Sequence, residues 1–346
     1  MKLSIWALIK GQFAKLPPVA KADLTGKTVI VLGANTGLGF EATKHFARMN
    51  PGRLILACRS QSKGQAALER MLKAATGFKN AELWIIDLAD FASVKSFADK
   101  FEQDGGRLDI LVENAGVAPT AYEASKDGME TAFQVNCMST PLLAFLLLPH
   151  MMRTAQQYST VPRLAVVASE VHHFTTIPKD VSDGGDMLAT FGSAAYCTPK
   201  VMRSRYLLTK LLNVFFVRAL NARLAPAAPL IVTAINPGFC YSELNRPLSG
   251  VQALIMRLMH RIFAFTAEEG ARQLVFGAVG LPESLDKLRG QYINQSRTEE
   301  PSDFVISAEG QKAQDRIWDE LVETLGKVDP RVLTTVDKYL SPTAAA

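Results

Sequence analysis

No block of like charge, no Cys-x-x-Cys pair and no long uncharged apolar run occurs in these 346 residues. The 38 basic and 33 acidic residues leave a formal charge of +5 that is spread along the chain. That excludes the Lys/Arg patch of a nucleic-acid binder, and no nucleic-acid partner is expected. Four cysteines, Cys58, Cys137, Cys197 and Cys240, lie far apart. Their spacing excludes a small disulfide scaffold and reads as reduced thiols inside a cell. No stretch reaches the ~18 apolar residues of a membrane-spanning helix. The opening "MKLSIWALIK" is stopped by Lys10, too soon for a secretory signal with its roughly 7–15 apolar residues and cleavage site. His-Glu-x-x-His and Gly-x-Ser-x-Gly are also missing, so His172-His173 supports neither a metal site nor a hydrolase, and the pair is expected in a loop near the pocket. No metal is expected. The default is a cytoplasmic protein. Residues 1–23 form an N-terminal extension expected to pack on its own domain, with a short amphipathic membrane anchor as the alternative.

What the sequence does have is apolar content, 48% of residues, enough for a large core. Short β-branched runs alternate with helix-period stretches: "TVIVL" (28–32), "RLILA" (53–57), "ELWIID" (82–87), "LDILVE" (108–113), "RLAVVAS" (163–169), "LIVTAIN" (230–236) and a weaker "GQYIN" (290–294). Near-continuous apolar strands joined by helices indicate an α/β fold with a parallel sheet covered on both faces. Length alone suggests about two domains of roughly 150 residues. The rhythm does not break, so one doubly wound domain of about seven strands is expected over 24–326. It carries insertions at about 170–200 and 245–268, and 327–346 is a C-terminal tail ending in "SPTAAA". The apolar segment 251–270 reads either as a lid over a substrate or as a core helix.

Between the first strand and the next helix stands "GANTGLG", with Gly33, Asn35, Thr36, Gly37, Leu38 and Gly39. Glycines there let the backbone turn tightly and approach a pyrophosphate, whose charge sits on the helix N-terminus. The second strand runs into Cys58, Arg59 and Ser60, where a NAD-selective site usually places an acid for the ribose 2′-hydroxyl. A guanidinium suits a 2′-phosphate, so NADP(H) is the expected cofactor, with Ser60 beside it; a solvated surface arginine is the plain alternative. Asp87, ending the third strand with Leu88 after it, is placed to meet the adenine or to cap the next helix.

Tyr-x-x-x-Lys occurs twice, as Tyr196/Lys200 and Tyr206/Lys210. Thr198-Pro199 reads as an N-cap followed by proline at the first helical position, which leaves Tyr196 outside the helix. From Tyr206 to Ala225 there is no Pro or Gly, and Leu208, Leu211, Leu212, Phe215 and Ala219 form an apolar stripe. Tyr206 and Lys210 therefore share one helix face.

"GANTGLG", "ENAG" (113–116), "FQVN" (133–136), "VVAS" (166–169), "RYLLTKLLN" and "INPGFCYSEL" (235–244) stand in the order of the short-chain dehydrogenase/reductase family. The chain resembles its retinol-dehydrogenase-like branch of the fungal type from about residue 24 to about 325. The resemblance implies a Rossmann-type domain and an enzyme that interconverts a ketone or aldehyde and its alcohol. By the same resemblance Ser169 holds the carbonyl oxygen and Tyr206 gives or takes the proton. Lys210 binds the ribose and lowers the tyrosine pKa, and Asn136 holds a relay water. Asn114, Ala115 and Gly116 line the cofactor cleft, and Pro237 and Gly238 flank the nicotinamide with Ser242. Three departures stand out: Leu32 where threonine is common, Glu113 where asparagine is common, and the long insertion between Ser169 and Tyr206. The apolar residues of that insertion and of 251–265 suggest a hydrophobic small-molecule substrate. Two rival readings remain, a non-catalytic NADP-binding regulator and a membrane-associated retinoid or lipid dehydrogenase. A homo-oligomer, joined through the Tyr206 helix, is a further expectation.

Overall fold

In the computed structural model, residues 10–241 and 261–340 are described. The apolar runs form β1 (Thr28–Leu32), β2 (Arg53–Cys58), β3 (Ala81–Ile85), β4 (Ile110–Glu113), β5 (Arg163–Val167), β6 (Ile231–Asn236) and β7 (Tyr292–Asn294). They make one sheet in the order β3-β2-β1-β4-β5-β6-β7-β8, where β8 is Arg297–Glu299. All neighbours pair parallel except β7 with β8. The strand order reverses between β1 and β4, which opens a crevice at the carboxyl ends of the strands. The eighth strand is an addition to the expected seven.

Parallel neighbours need crossovers, and the helices supply them. They are α1 (Gly37–Ala47), α2 (Gln61–Ala74), α3 (Phe91–Gln103), α4 (Thr131–Tyr158), α5 (Met187–Gly192), α6 (Pro199–Met202), α7 (Arg205–Arg223), α8 (Ala267–Val279), α9 (Ala308–Val328) and α10 (Arg331–Tyr339). Side chains alternate along a strand. Val29 and Val31 of β1 face Phe46, Met71 and Leu274 of α1, α2 and α8. Ile30 and Leu32 face Val94, Leu143 and Leu211 of α3, α4 and α7. Contrary to the sequence reading that no stretch reaches that length, helix α4 is long and apolar enough to cross a bilayer, but 94% of its apolar window is buried inside the protein. It is the core helix of this fold.

Two parts differ from the sequence reading. The segment 170–200 does not hang free as a loop: α5 buries Met187, Leu188 and Phe191 in the main core. Glu320 of α9 accepts the amides of Met187 (2.8 Å) and Leu188 (3.1 Å), while Arg316 donates to the carbonyls of Ser182 and Gly184. Its apolar residues thus serve the core. The presumed tail from 327 continues α9 and then forms α10, whose Val332 is fully buried. The described part of the N-terminal extension packs on the domain, with Leu16 against Cys240 and Phe265. The second insertion, at 245–268, lies largely outside the described residues, as do "SPTAAA" (341–346) and the first part of the 251–270 segment.

Candidate active site

The turn from β1 to α1 is built for close backbone approach. Gly33 has φ +69°, and a Cβ there would lie 3.1 Å from Ala115 Cα. A Cβ on Gly39 would lie 2.5 Å from Gly33 O. Asn114 Nδ2 donates to Leu32 O (2.9 Å) and Gly33 O (3.4 Å), which ties the β4 loop to this turn. The N-cap Thr36 makes no side-chain bond to the first turn of α1, unlike Ser60, Asp90 and Thr266 at α2, α3 and α8. The first amides of a helix have no partner within it, so those of Gly37, Leu38 and Gly39 are donors for an anion. These residues fit a dinucleotide.

Arg59 is exposed at the end of β2, and Ser60 caps α2 through Lys63 N at 3.4 Å. Arg70 of α2, which the sequence reading passed over, reaches back to Asn35 O at 3.2 Å and lies over the Phe40 ring. Asp87 does not cap α3; that task belongs to Asp90, which accepts from Ala92 N and Ser93 N. Asp87 Oδ1 instead accepts from Ala89 N at 3.0 Å. Leu88 is buried, and its carbonyl accepts from Ser139 Oγ at 2.6 Å.

Helix α4 contains a π-helical stretch, Gln134–Ser139, with Asn136 in it. Such stretches are frequent at functional sites. Asn136 Oδ1 accepts from Val117 N (3.0 Å), and Nδ2 donates to Val117 O (2.9 Å) and Thr209 Oγ1 (3.1 Å). Its carbonyl accepts from Asn213 Nδ2 at 2.7 Å. With its side-chain groups and carbonyl engaged inside the protein, Asn136 is a fastening between the Gly116 loop and α7. The implied relay water would have to share these partners.

The two Tyr-x-x-x-Lys pairs differ as expected. Thr198 caps α6 through Val201 N with Pro199 at its start, Tyr196 lies before that cap, and Lys200 is exposed. Tyr196 packs on the Phe191 ring, centroids 5.7 Å apart. Tyr206 and Lys210 sit on α7, with Lys210 Nζ 5.6 Å from the Tyr206 ring centroid. Lys210 is buried and donates to Val167 O (2.6 Å) and Asn213 Oδ1 (3.3 Å). A Cβ on Gly116 would lie 3.2 Å from Asn136 Oδ1 and 3.8 Å from Lys210 Nζ. The loop after β4, α4, α7 and the end of β5 therefore converge on one ammonium. Burial pushes the Lys210 pKa down to about 8 and raises the Tyr206 phenol above its ordinary value, opposite to the lowering by Lys210 that the resemblance implied, because burial sets the direction here. Asn213 was not singled out in the sequence, although three residues beyond Lys210 is a same-face spacing.

A buried ion pair sets where α7 begins. Arg205 Nε lies 3.1 Å from Glu130 Oε2, with both side chains fully buried. Glu130 in turn caps α4 by accepting from Ala132 N and Phe133 N. One contact thus joins the starts of the helices that carry Asn136 and Tyr206.

Ser169 follows β5, half-buried, and its hydroxyl accepts from Val171 N at 3.4 Å. The adjacent His172 is a structural residue of a short 3-10 helix, Glu170–Phe174, and does not line an open loop. Its Nδ1–H donates to Ser169 O (2.7 Å), and its Nε2 accepts from Ser302 N (3.1 Å). Burial pushes its pKa down to about 3, which keeps this tautomer neutral. Gly238, φ +80°, donates its amide to Asn236 Oδ1 at 3.1 Å and follows the buried Pro237. Ser242 lies outside the described residues. Among the described residues no cluster of His, Cys, Asp or Glu is arranged to hold a metal.

A sequence profile of the short chain dehydrogenase family matches residues 27–178. A short chain dehydrogenase/reductase of Cryptosporiopsis sp. is 36% identical over 326 residues, 93% of this chain and 97% of that protein. A short-chain dehydrogenase of Penicillium roqueforti is 34% identical, over 95% of this chain and 85% of its own length. The crystal structure of a gluconate 5-dehydrogenase from Burkholderia cenocepacia, in complex with NADP and tartrate, superposes with a TM-score of 0.55. It covers 79% of this chain and 94% of that one at 21% identity, a likeness of fold. With the glycine turn, the crevice and the full-length relatives in agreement, the chain belongs to the short-chain dehydrogenase/reductase family of oxidoreductases.

Proposed function

We propose that this protein is an NADP(H)-dependent oxidoreductase that interconverts a hydrophobic ketone or aldehyde and the corresponding alcohol. The reading rests on one observation above the others. A hydrogen-bonded chain runs from Val167 O through Lys210 and Asn213 to Asn136 O, with the Tyr206 ring beside the ammonium.

In the reducing direction NADPH, held at the glycine turn of Gly33, Gly37 and Gly39, would supply the hydride to the carbonyl carbon. Tyr206 Oη–H gives its proton to the carbonyl oxygen as the C=O π electrons move onto it, and Ser169 Oγ–H steadies the same oxygen. The phenolate left behind is stabilised by the Lys210 ammonium beside its ring and regains its proton from solvent. A phenol raised by burial holds its proton at neutral pH and suits the role of acid. Lys210, at a pKa of about 8, is still mostly the ammonium at neutral pH. Asn136 and Asn213 hold the lysine and the loop in place.

Cofactor choice is assigned to Arg59, exposed where a 2′-phosphate would lie, with no acid beside it. The gluconate dehydrogenase of the same fold is complexed with NADP. Substrate hydrophobicity rests on the apolar residues of segment 251–265; the cleft lined by His173, Phe174, Thr175, Thr176, Ser302, Asp303 and Phe304 mixes polar and apolar groups. The test is NADPH consumption across carbonyl compounds graded by size and polarity. Turnover confined to small charged keto acids would refute the substrate class, and tight NADPH binding with no turnover would favour a regulator.

A further inference from the structure

The N-terminal segment reaches the site. Gln12 and Leu16 are only 8% and 7% exposed. The segment is fastened by Gln295 Nε2 on Gly11 O (3.0 Å), by Arg272 Nη1 on Pro17 O (3.4 Å) and by Phe13 edge-on to Phe263. From it Gln12 Nε2 donates to Glu170 Oε1 at 3.3 Å, across 158 positions of sequence. Glu170 directly follows Ser169. Its other oxygen accepts from Asn236 Nδ2 at 3.5 Å. Asn236 Oδ1 accepts two amides at once, Glu170 N (3.0 Å) and Gly238 N (3.1 Å). The Asn236 side chain is therefore a bracket between the Ser169 turn and the Pro237-Gly238 turn, and Gln12 and Glu170 hold it from behind. A Cβ on Gly238 would lie 3.6 Å from Gln12 Nε2, so the glutamine abuts both turns.

We propose that Gln12 is a positioning residue for hydride transfer: through Glu170 and Asn236 it fixes the Ser169 turn against the Pro237-Gly238 turn. The proposal rests on the oxidoreductase reading above. Burial raises the Glu170 carboxyl to about 7, with the Asn236 bond opposing that rise. Its titratable neighbours are Glu299, Tyr292 and Cys240, and none brings positive charge. The amides of Gln12 and Asn236 are thus the side-chain donors to this carboxylate among the described residues. Removing the Gln12 donor leaves a buried carboxylate to compete for Asn236, which loosens both turns together.

The test compares the full-length wild type with Gln12→Ala, Gln12→Leu and the reciprocal swap Gln12→Glu with Glu170→Gln. The swap exchanges donor and acceptor and restores the bond. Melting temperature should stay close to wild type, because no core side chain is lost. Amide hydrogen exchange at Glu170 and Gly238, the two donors to Asn236 Oδ1, should rise about tenfold in Gln12→Ala, the scale of one lost charge-assisted hydrogen bond. In the same variant kcat should fall by about the same factor while KM for NADPH holds within about twofold, since the adenosine end is untouched. Gln12→Leu keeps the packing and should behave alike, and the swap should recover both readouts. Unchanged exchange in Gln12→Ala, or a swap that restores neither readout, overturns the proposal. If the wild type itself turns over no carbonyl compound, the functional reading fails, and the exchange measurement still decides the bracket.

Discussion

Asn213 offers the sharpest perturbation of the candidate site because two substitutions there push one pKa in opposite directions. Lys210 Nζ has two acceptors, Val167 O and Asn213 Oδ1, and burial already pulls its pKa to about 8. Asn213→Leu keeps the volume and removes one acceptor. A hydrogen bond to a charged group is worth about 1.5–3 kcal/mol, and one pKa unit corresponds to about 1.4 kcal/mol. The ammonium should therefore titrate about one to two units lower. Asn213→Asp places a carboxylate against the same ammonium and should move the titration upward. Both variants lose the Asn213 Nδ2 bond to Asn136 O, so that shared loss cancels when they are compared. The assay is the pH dependence of kcat for NADPH consumption, with thermal melts as a check on folding. The alkaline limb should shift down in Asn213→Leu and up in Asn213→Asp. Shifts of the same sign, or equal losses at every pH, would show that Asn213 merely supports the fold and does not tune Lys210.

How much of this was legible in the sequence follows from how local each signal is. Most strands were readable because their apolar runs are buried on both faces, as with the five buried residues of β1, although in β3 only Trp84 is buried. The start of α6 was readable because Thr198-Pro199 is chemistry within one turn, whereas the break that starts α7 anew at Arg205 was not, because Ser204 makes no side-chain cap. β8 was not readable. Its "RTE" has no apolar alternation, and the β7–β8 hairpin turns on Gln295 and Ser296, both at positive φ (49° and 58°), where Asn-Gly would have advertised it. α10 was hidden in a presumed tail because its buried residues, Val332 and Thr335, are few and sit between exposed ones. The folding of segment 170–200 depends on Arg316 and Glu320, more than a hundred residues away. The same distance hid Gln12, 158 positions from Glu170. Motif order located the groups placed for chemistry; of the groups that hold them, Asn213 and Asn236 stand inside those motifs without a pattern of their own, whereas Gln12, Arg316 and Glu320 come from segments the motifs do not include.

Three further outcomes are expected. Tyr206→Phe should keep fold and cofactor binding and lower kcat by about 10²–10⁴, whereas Tyr196→Phe, before the α6 cap, should cost far less in the same NADPH assay; the reverse ranking would overturn the choice of pair. Arg59→Ala should weaken NADPH by about 1.5 kcal/mol or more in direct binding titrations while leaving NADH unchanged, and an equal loss for both would refute the 2′-phosphate assignment. The last concerns Glu113, which is 2% exposed, ends β4 beside Asn114, and has neither carboxyl oxygen hydrogen-bonded among the described residues. Burial holds its pKa well above the ordinary carboxylate value. The folded protein therefore keeps this proton at pH values where the unfolded chain, titrating near ~4.3, has released it. Folded protein then binds more protons than unfolded, so this group's contribution to stability falls as pH rises from the unfolded value toward the folded one. The slope is at most about 1.4 kcal/mol per pH unit. Glu113→Gln keeps the shape of the neutral acid and cannot ionise. Its denaturant midpoint should therefore exceed that of the wild type at pH 8, with the gap narrowing toward pH 5. Parallel pH curves for the two proteins would mean that Glu113 finds a partner for its charge and is ionised in the folded state.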